Sequence, residues 1–547
     1  MKKTFFRSAP LLLAVACHAA LAAGERFDIA RFQVEGNSLL SEADIGRALG
    51  PLTGPDKVYD DIQAALEALA LAYRKAGYSA VRVHVPEQQL SGGIVRIAVS
   101  ESTIGRVTVS GNRYFDEANI RASLGALQPG TSPRLQDLSE AIQLANDNPA
   151  KQVEVSLGSG GREDSVDARV SVNDSRPMRV SLTADNTGTE ASGTWRTGVA
   201  LQHANLFNRD HVATVAYATA PDSPAGVHVK LWSLGYRIPL YTLGDSVDVI
   251  YGNSSVNTPG TSPALGGLLG IAGKGDVFGM RWNHFFARQG NDTSRLVYSV
   301  DHKYINSRCS VNGQEMSFAA PTPSISSCIP YTAMPLGVTY FRRRQSPGML
   351  LDFNLGLVRN VPLGTKYTNI DGRTDRYSYL TPGNRHTRDG FMLVRGGASV
   401  FKVYASDWQV RVAASVQLAR DALLASEQFG LAGTGGVRGF NERAVTADGG
   451  TLVNAEVFTP ELASQLGVPG NVRFLAFYDI GRGYNLATGA GATPAHVGIA
   501  SAGFGLRYGV GRDVAVRADA ARISGAAGTG TESRGHWTCH IGMLFRF

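Results

Sequence analysis

Residues 536–547, HWTCHIGMLFRF, end the chain on an alternation: Trp537, Cys539, Ile541, Met543, Phe545 and Phe547 place an apolar side chain at every second position. Successive side chains of a strand point to opposite faces, so a second face is made of His536, Thr538, His540, Gly542, Leu544 and Arg546. One face is fit for lipid and the other for a wetter lumen, the pattern of a transmembrane β-barrel strand. The aromatic end at Phe545 and Phe547 then reads as a barrel assembly signal. A half-buried strand of a soluble sandwich alternates in the same way, so the segment needs support from elsewhere. A metal site shared by His536, Cys539 and His540 is not expected, because on a strand Cys539 points away from both histidines.

Support comes from the opposite end. Lys2, Lys3 and Arg7 precede a short apolar stretch, Leu11 to Ala16, and Ala20, Leu21 and Ala22 offer an A-x-A cleavage site, so residues 1–22 read as a secretory signal peptide. Lipidation at Cys17 is the lesser reading, since Ala14 stands three positions before it. A spanning helix needs about 20 apolar residues, and no segment of the mature chain approaches that. If such a chain sits in a membrane, it crosses as a closed barrel.

Composition agrees. The chain of 547 residues holds 63 glycines and 19 tyrosines, which suits hydrophobicity spread thinly through alternating segments. The formal charge of +7 includes Lys2, Lys3 and Arg7, and the remainder is nearly balanced. No long basic run and no interleaving of aromatic and basic residues marks a nucleic-acid groove. Cys309 and Cys328 enclose a polar stretch in a compartment that permits disulfides, and read as a bridge stapling an extracellular loop; free thiols are the alternative. No G-x-S-x-G elbow, H-E-x-x-H helix or phosphate loop occurs, so neither catalysis nor a cofactor or metal is expected.

A duplication organises the first third of the mature chain. Val34, Glu35, Gly36 and Asn37 recur as Val109, Ser110, Gly111 and Asn112 at an offset of 75 residues, and the register continues through Glu42 and Glu117, Ile45 and Ile120, and Leu49 and Leu124. Each copy begins with a short strand, Phe32 to Glu35 or Val107 to Ser110, turns at Gly-Asn and enters a short helix. A second helix follows: Ile62, Leu66, Leu69 and Tyr73 share helical spacing and stop at Gly77, and Leu135, Leu138, Ile142 and Ala145 do the same before Pro149. Two alternating strands complete each unit as β-α-α-β-β, with helices on one sheet face and an open strand edge.

This order, the Gly-Asn turn, and the run from Tyr73 through Gly77 and Tyr78 to Val85, Pro86, Glu87 and Gln88 resemble the polypeptide-transport-associated (POTRA) domains of two-partner secretion transporters, the haemolysin secretion/activation type. In that family such a pair precedes an outer-membrane barrel. From about Arg176 strands separated by turn residues take over, and roughly 370 residues at about 20–25 per strand and connection give about sixteen antiparallel strands. Asn257 to Lys274, Asn306 to Tyr331 and Asn369 to Arg388 are expected as surface loops. The expected division is a signal peptide at 1–22, POTRA domains at 27–101 and 103–175, and a barrel at 177–547.

Two motifs within the barrel resemble family signatures. Gly436, Val437, Arg438, Gly439 and Phe440 are similar to the VRGF element at the tip of a long loop, here residues 430–445, that folds back into the lumen. Phe477, Asp479 and Gly481 are similar to the F-x-D-x-G element of a late barrel strand facing that lumen. The resemblance therefore implies that Arg438 meets Asp479, where a bidentate guanidinium–carboxylate pair would pin the loop. It also implies an outer-membrane location with periplasmic POTRA domains and export of a large secreted protein of the adhesin or haemolysin class, captured unfolded. Outer-membrane lipid and the barrel assembly machinery are the other implied partners, and nucleic acid is not one. An assembly factor that inserts other barrels shares the architecture and is the alternative; a passive pore leaves the duplicated domains without a task. The first domain begins near Phe27, so no plug helix is expected, and the central or surface loops are expected to close the resting pore.

Overall fold

A computed structural model describes residues 26–547 apart from 163, 256–259, 262–269, 272–273, 307–309, 312–313, 316–329, 369–371, 381–384, 489–492 and 527–531. The signal peptide and the Cys309 and Cys328 pair lie outside the described residues. The chain divides into two compact units: residues 1–105 with 129–135 and 159–166, and 106–128 with 136–158 and 167–547. The second copy of the duplication therefore falls largely in the same unit as the barrel.

In the first copy, Ser41 caps the helix Glu42–Leu49 by accepting from the Asp44 amide. Ile62, Ala65, Leu69 and Tyr73 form the buried stripe of the helix Tyr59–Lys75. These helices cover a three-stranded sheet in which the last strand, Ile94–Glu101, is central: Arg31–Glu35 runs parallel to it and Val81–His84 antiparallel. Val95, Ile97 and Val99 of the central strand are buried. A short additional pairing of Phe27–Ile29 with Gly54–Lys57 was not legible from periodicity, since neither segment alternates. The second copy repeats the order, with Ser165–Asp174 between Thr103–Ser110 and Lys151–Ser159. The duplicated glycines share one cause. Gly36 and Gly111 have φ of 82° and 87°, and a Cβ there would lie 2.3 and 2.4 Å from the carbonyl oxygens of Val99 and Val172.

Sixteen antiparallel strands form a closed barrel, from Met178–Asp185 to Trp537–Arg546, which pair with one another to seal it. Residues at 207–210, 241–244, 290–291, 347–348 and 511–513 make short turns at one end, whereas 186–195, 220–230, 255–274, 306–330, 362–391, 420–448 and 526–536 connect strands at the other. Leu231–Leu240 pairs along its whole length with Asp245–Ser254, after a turn at Pro224 and Gly226.

The terminal strand orients as its alternation requires. Trp537 is 49% exposed and Phe547 73%, whereas His540 is buried. Phe547 exchanges two backbone hydrogen bonds with Val180, so the last residue belongs to the closing ladder. Among the described residues no helix is long and apolar enough to cross a membrane.

Candidate functional site

The connection 420–448 does not stay at the barrel end. Its described segment folds inward, and Leu431, Val437, Phe440 and Val445 pack with wall residues Leu452, Ile499 and Ile523 in a buried cluster. Small residues permit this approach. A Cβ on Gly481 would come within 3.2 Å of Leu431 and Val437 side-chain atoms, and one on Gly436 within 2.4 Å of the Leu431 carbonyl oxygen. Gly439 has φ of 97°, and its amide donates to His540 Nε2 at 3.0 Å while its carbonyl accepts from Thr538 Oγ1 at 2.8 Å. Thus the polar face of the terminal strand grips the loop tip.

Arg438 is the centre of the arrangement. Its Nε and Nη2 donate to the two oxygens of Asp479 at 2.7 and 2.8 Å, a bidentate pair, and its backbone amide adds a bond of 3.2 Å to the same carboxylate. Nη1 reaches Glu456 at 2.9 Å and Asp519 at 3.5 Å. The guanidinium carbon lies 3.5 Å from the centroid of the Phe477 ring. Asn454 Nδ2 bridges Asp479 Oδ1 and the Gly436 carbonyl, each at 2.8 Å. Asp479 is fully buried and Arg438 is 4% exposed. The two sequence motifs thus meet through named atoms, and Gly436, Val437, Gly439, Phe440, Phe477 and Gly481 all surround that contact.

The wall supplies its own countercharges. Glu456 also pairs with Arg411 at 3.2 Å, and Asp519 with Arg507 at 2.9 Å. Sequence reasoning did not single out Glu456, Asp519 or Asn454, and it placed Thr538 and His540 on the lumenal face without naming what they hold. Which residues they meet depends on strand register, such as Asp479 opposite Asn454 and Asp519 opposite His540, which no local pattern encodes.

Two more carboxylates hold the root of the loop. Glu427, fully buried, receives Lys303 at 2.6 Å and Arg395 at 3.2 Å. Asp448 receives Arg385 at 2.7 Å and the amides of Leu423 and Leu486, each at 2.9 Å.

At the end with short turns, the second copy joins the barrel rim through a separate buried cluster. Lys151, fully buried, pairs with Asp210 of the turn 207–210 and lies 3.0 Å from Asn119 Oδ1 and 3.4 Å from Ser123 Oγ. Asn119 Nδ2 donates to Asp210 Oδ1 and to the Asn208 carbonyl, both at 3.0 Å, and Tyr241 also donates to Asp210. Burial pulls the Lys151 ammonium below its ordinary value, and the Asp210 carboxylate opposes that shift. Asn148 donates to the Ala204 carbonyl at 2.7 Å and Gln143 to that of Phe286 at 2.8 Å, which extends the seam along the rim.

In the other unit, the Gly-Asn turn of the first copy carries a polar network. The Tyr73 hydroxyl stands 2.6 Å from Asn37 Oδ1 and 2.8 Å from Glu101 Oε1, and Glu101 accepts from the amides of Ser38 and Leu39. Partial burial works against ionisation of Glu101, but the Ser38, Tyr73 and Leu39 hydrogen bonds outweigh it and hold the carboxyl below its usual range. Asp174 caps the second copy's turn in the same way, accepting from the amides of Arg113, Tyr114 and Phe115.

A sixteen-stranded barrel with an inward loop, preceded by POTRA-type modules, defines the class of outer-membrane barrels with periplasmic POTRA domains. Comparison narrows it. Residues 165–508 match the family described as haemolysin secretion/activation protein ShlB/FhaC/HecB, and residues 27–102 match its ShlB-type POTRA domain. The chain belongs to this family, and it resides in the outer membrane with its POTRA domains in the periplasm. The outer membrane transporter CdiB of Escherichia coli O6:K15:H31 is 24% identical over 306 residues, covering 55% of this chain and 50% of that protein. The chain thus spans about half the length of that relative. CdiB of Dickeya dadantii is 24% identical over 426 residues, covering 76% and 68%, and the heme/hemopexin transporter protein HuxB of Haemophilus influenzae is 19% identical over 473, covering 84% and 76%. The solved structure of CdiB from Escherichia coli superposes with a TM-score of 0.72 at 20% identity, covering 99% of this chain and 94% of that one, which supports the fold.

Proposed function

We propose that this protein is the outer-membrane half of a two-partner (type V) secretion pair and exports one specific, large secreted protein. The observation that carries the reading is the loop of residues 430–445, turned into the lumen and fastened by Arg438 to Asp479, Glu456 and Asp519. Its kinship with transporters named CdiB and HuxB supports it. A diffusion pore would leave the POTRA modules without a task.

In this reading the periplasmic modules capture the unfolded client. Edge strands such as Val81–His84 leave main-chain groups free for strand addition, which is largely indifferent to client sequence. The latch at Arg438 then opens, the client threads the barrel, and folding outside the cell makes return unfavourable. No nucleotide is available in the periplasm to drive the step otherwise. The client is of the adhesin or haemolysin class. Phe545 and Phe547 serve recognition by the barrel assembly machinery during biogenesis, and a Cys309–Cys328 bridge staples a loop outside the cell.

Comparative proteomics of culture medium and outer membrane, with the chain, without it and with Arg438→Ala, tests this. Loss of one large protein from the medium with membrane barrels unchanged is the expected result. A general fall in outer-membrane barrels would make the protein an assembly factor instead.

A further inference from the structure

The lumen is not filled by the inward loop. A cavity of about 1230 Å³ runs along the inner wall, from Asn471 and Gly509 beside the short turns to Thr197, Ala218 and Leu231 where the long connections leave. The loop contributes one side of it, around Gly436, Glu442 and Arg443.

The charge of this lane is uneven. Seven cationic side chains line it against three carboxylates. Some of the cations are neutralised locally: Arg281 pairs with Asp301 at 2.7 Å and Arg507 with Asp519 at 2.9 Å. Others are not. Lys303 and Arg395 share the single carboxylate of Glu427. Arg196 and Arg443 direct N–H groups at the carbonyls of Gly193 and Ala425, at 2.8 and 2.7 Å. Arg517 has no ion pair among the described residues. Even with Glu427 and Asp519 counted beside the lining acids, positive charge is in excess.

The wall is shaped to carry these groups. A Cβ on Gly542 would stand 2.7 Å from Arg517 Nε, and one on Gly505 or Gly279 would stand 3.2 Å from Nη1 of Arg507 or Arg281. Only at Gly542 is the arginine the nearest neighbour; at Gly505 and Gly279 the closest atoms are Asp519 Oδ1 at 2.2 Å and Asp301 Oδ1 at 2.6 Å, so those two glycines make room for the ion pairs and Gly542 makes room for Arg517. A passage with low-dielectric walls and fixed charge of one sign concentrates the opposite ion.

We propose that, against the expectation that the loops close the resting pore, this lane is an anion-selective path through the resting barrel, conducting small inorganic anions such as chloride with the Arg438 latch closed. The claim rests on the cavity and its charges and is independent of what the protein secretes. Arg517 is its most direct control point, being inward-facing and without an ion pair among the described residues; it stands opposite Arg507, the partner of Asp519, so latch closure is checked in each variant by spin-label distances between loop and wall.

The test is the reversal potential of the full-length protein in planar bilayers under a potassium chloride gradient. The lane gives a chloride-to-potassium permeability ratio above unity. Arg517→Gln lowers it, Arg517→Glu carries it to 1 or below, and Arg517→Lys preserves it. A wild-type ratio at or below 1, the absence of conductance, or a ratio unmoved by Arg517→Glu in a correctly folded barrel would each overturn the proposal. Because these recordings contain no client, their failure leaves the secretion reading standing, and loss of secretion leaves the lane standing.

Discussion

Two buried charge clusters lie in the same compact unit and are built differently. At the rim, Lys151 and Asp210 are one cation and one anion, both essentially without solvent contact, and their remaining partners are neutral: Asn119, Ser123 and Tyr241. In the lumen, Arg438 serves three carboxylates, two of which keep an arginine of the wall, Arg411 or Arg507. Separating the rim pair leaves two buried charges with no counterion. Withdrawing the loop leaves only Asp479 without one, and Asn454 still donates to it. The rim is thus a permanent joint and the lumenal cluster a latch whose receiving side stays largely neutralised when it opens.

The sharpest way to break this contrast is at the rim. Lys151→Met leaves Asp210 buried and uncompensated, with an expected loss of about 3–5 kcal/mol in the stability of the joint, whereas Lys151→Met with Asp210→Leu recovers most of it. Hydrogen exchange at residues 117–123 and 205–210 measures both. Next comes Asp479→Ala, which removes the bidentate partner and is expected to favour loop withdrawal by about 3 kcal/mol, read as spin-label distances between loop and wall. Asp519→Asn is smaller, about 1 kcal/mol, since its contact to Arg438 is 3.5 Å and Arg507 holds it independently. An effect of Asp519→Asn equal to that of Asp479→Ala would refute the division of roles.

The smallest expected effect lies in the first POTRA module. The Glu101 carboxyl is depressed in the folded state, so its stabilisation is present above the ordinary carboxylate range and is lost as pH falls through the folded value. Protection of the Ser38 and Leu39 amides, measured against their intrinsic exchange rates, should therefore fall in acid, and Glu101→Gln should abolish that change in protection.

The barrel and both modules were legible because their signals are local: alternation at 537–547, helical spacing at Ile62, Leu69 and Tyr73, and glycine-marked turns at Gly36 and Gly111. The positions of Arg438 and Asp479 were legible only because glycines and aromatics frame them into motifs. Glu456 and Asp519 are single acids on alternating strands, and nothing nearby distinguishes an inward partner of Arg438 from a lumenal acid with another task. Lys151 opens a strand in a polar stretch and reads as a surface lysine; its burial follows from a turn 59 residues away in sequence. The rim joint and the arginine lane are both properties of strand order and register, which sequence periodicity does not carry.

The most direct test of the account fastens the latch. A Cβ on Gly481 lies 3.2 Å from a Val437 methyl carbon, so Val437→Cys with Gly481→Cys, in a Cys539→Ser background, places two thiols within bridging range. Secretion is measured with the pair oxidised, then after reduction, beside each single cysteine variant. The account predicts that the oxidised pair blocks secretion, that reduction restores it, and that each single variant secretes equally under oxidising and reducing conditions. Secretion by the oxidised pair at the level of the single variants would contradict the claim that the loop must leave the wall.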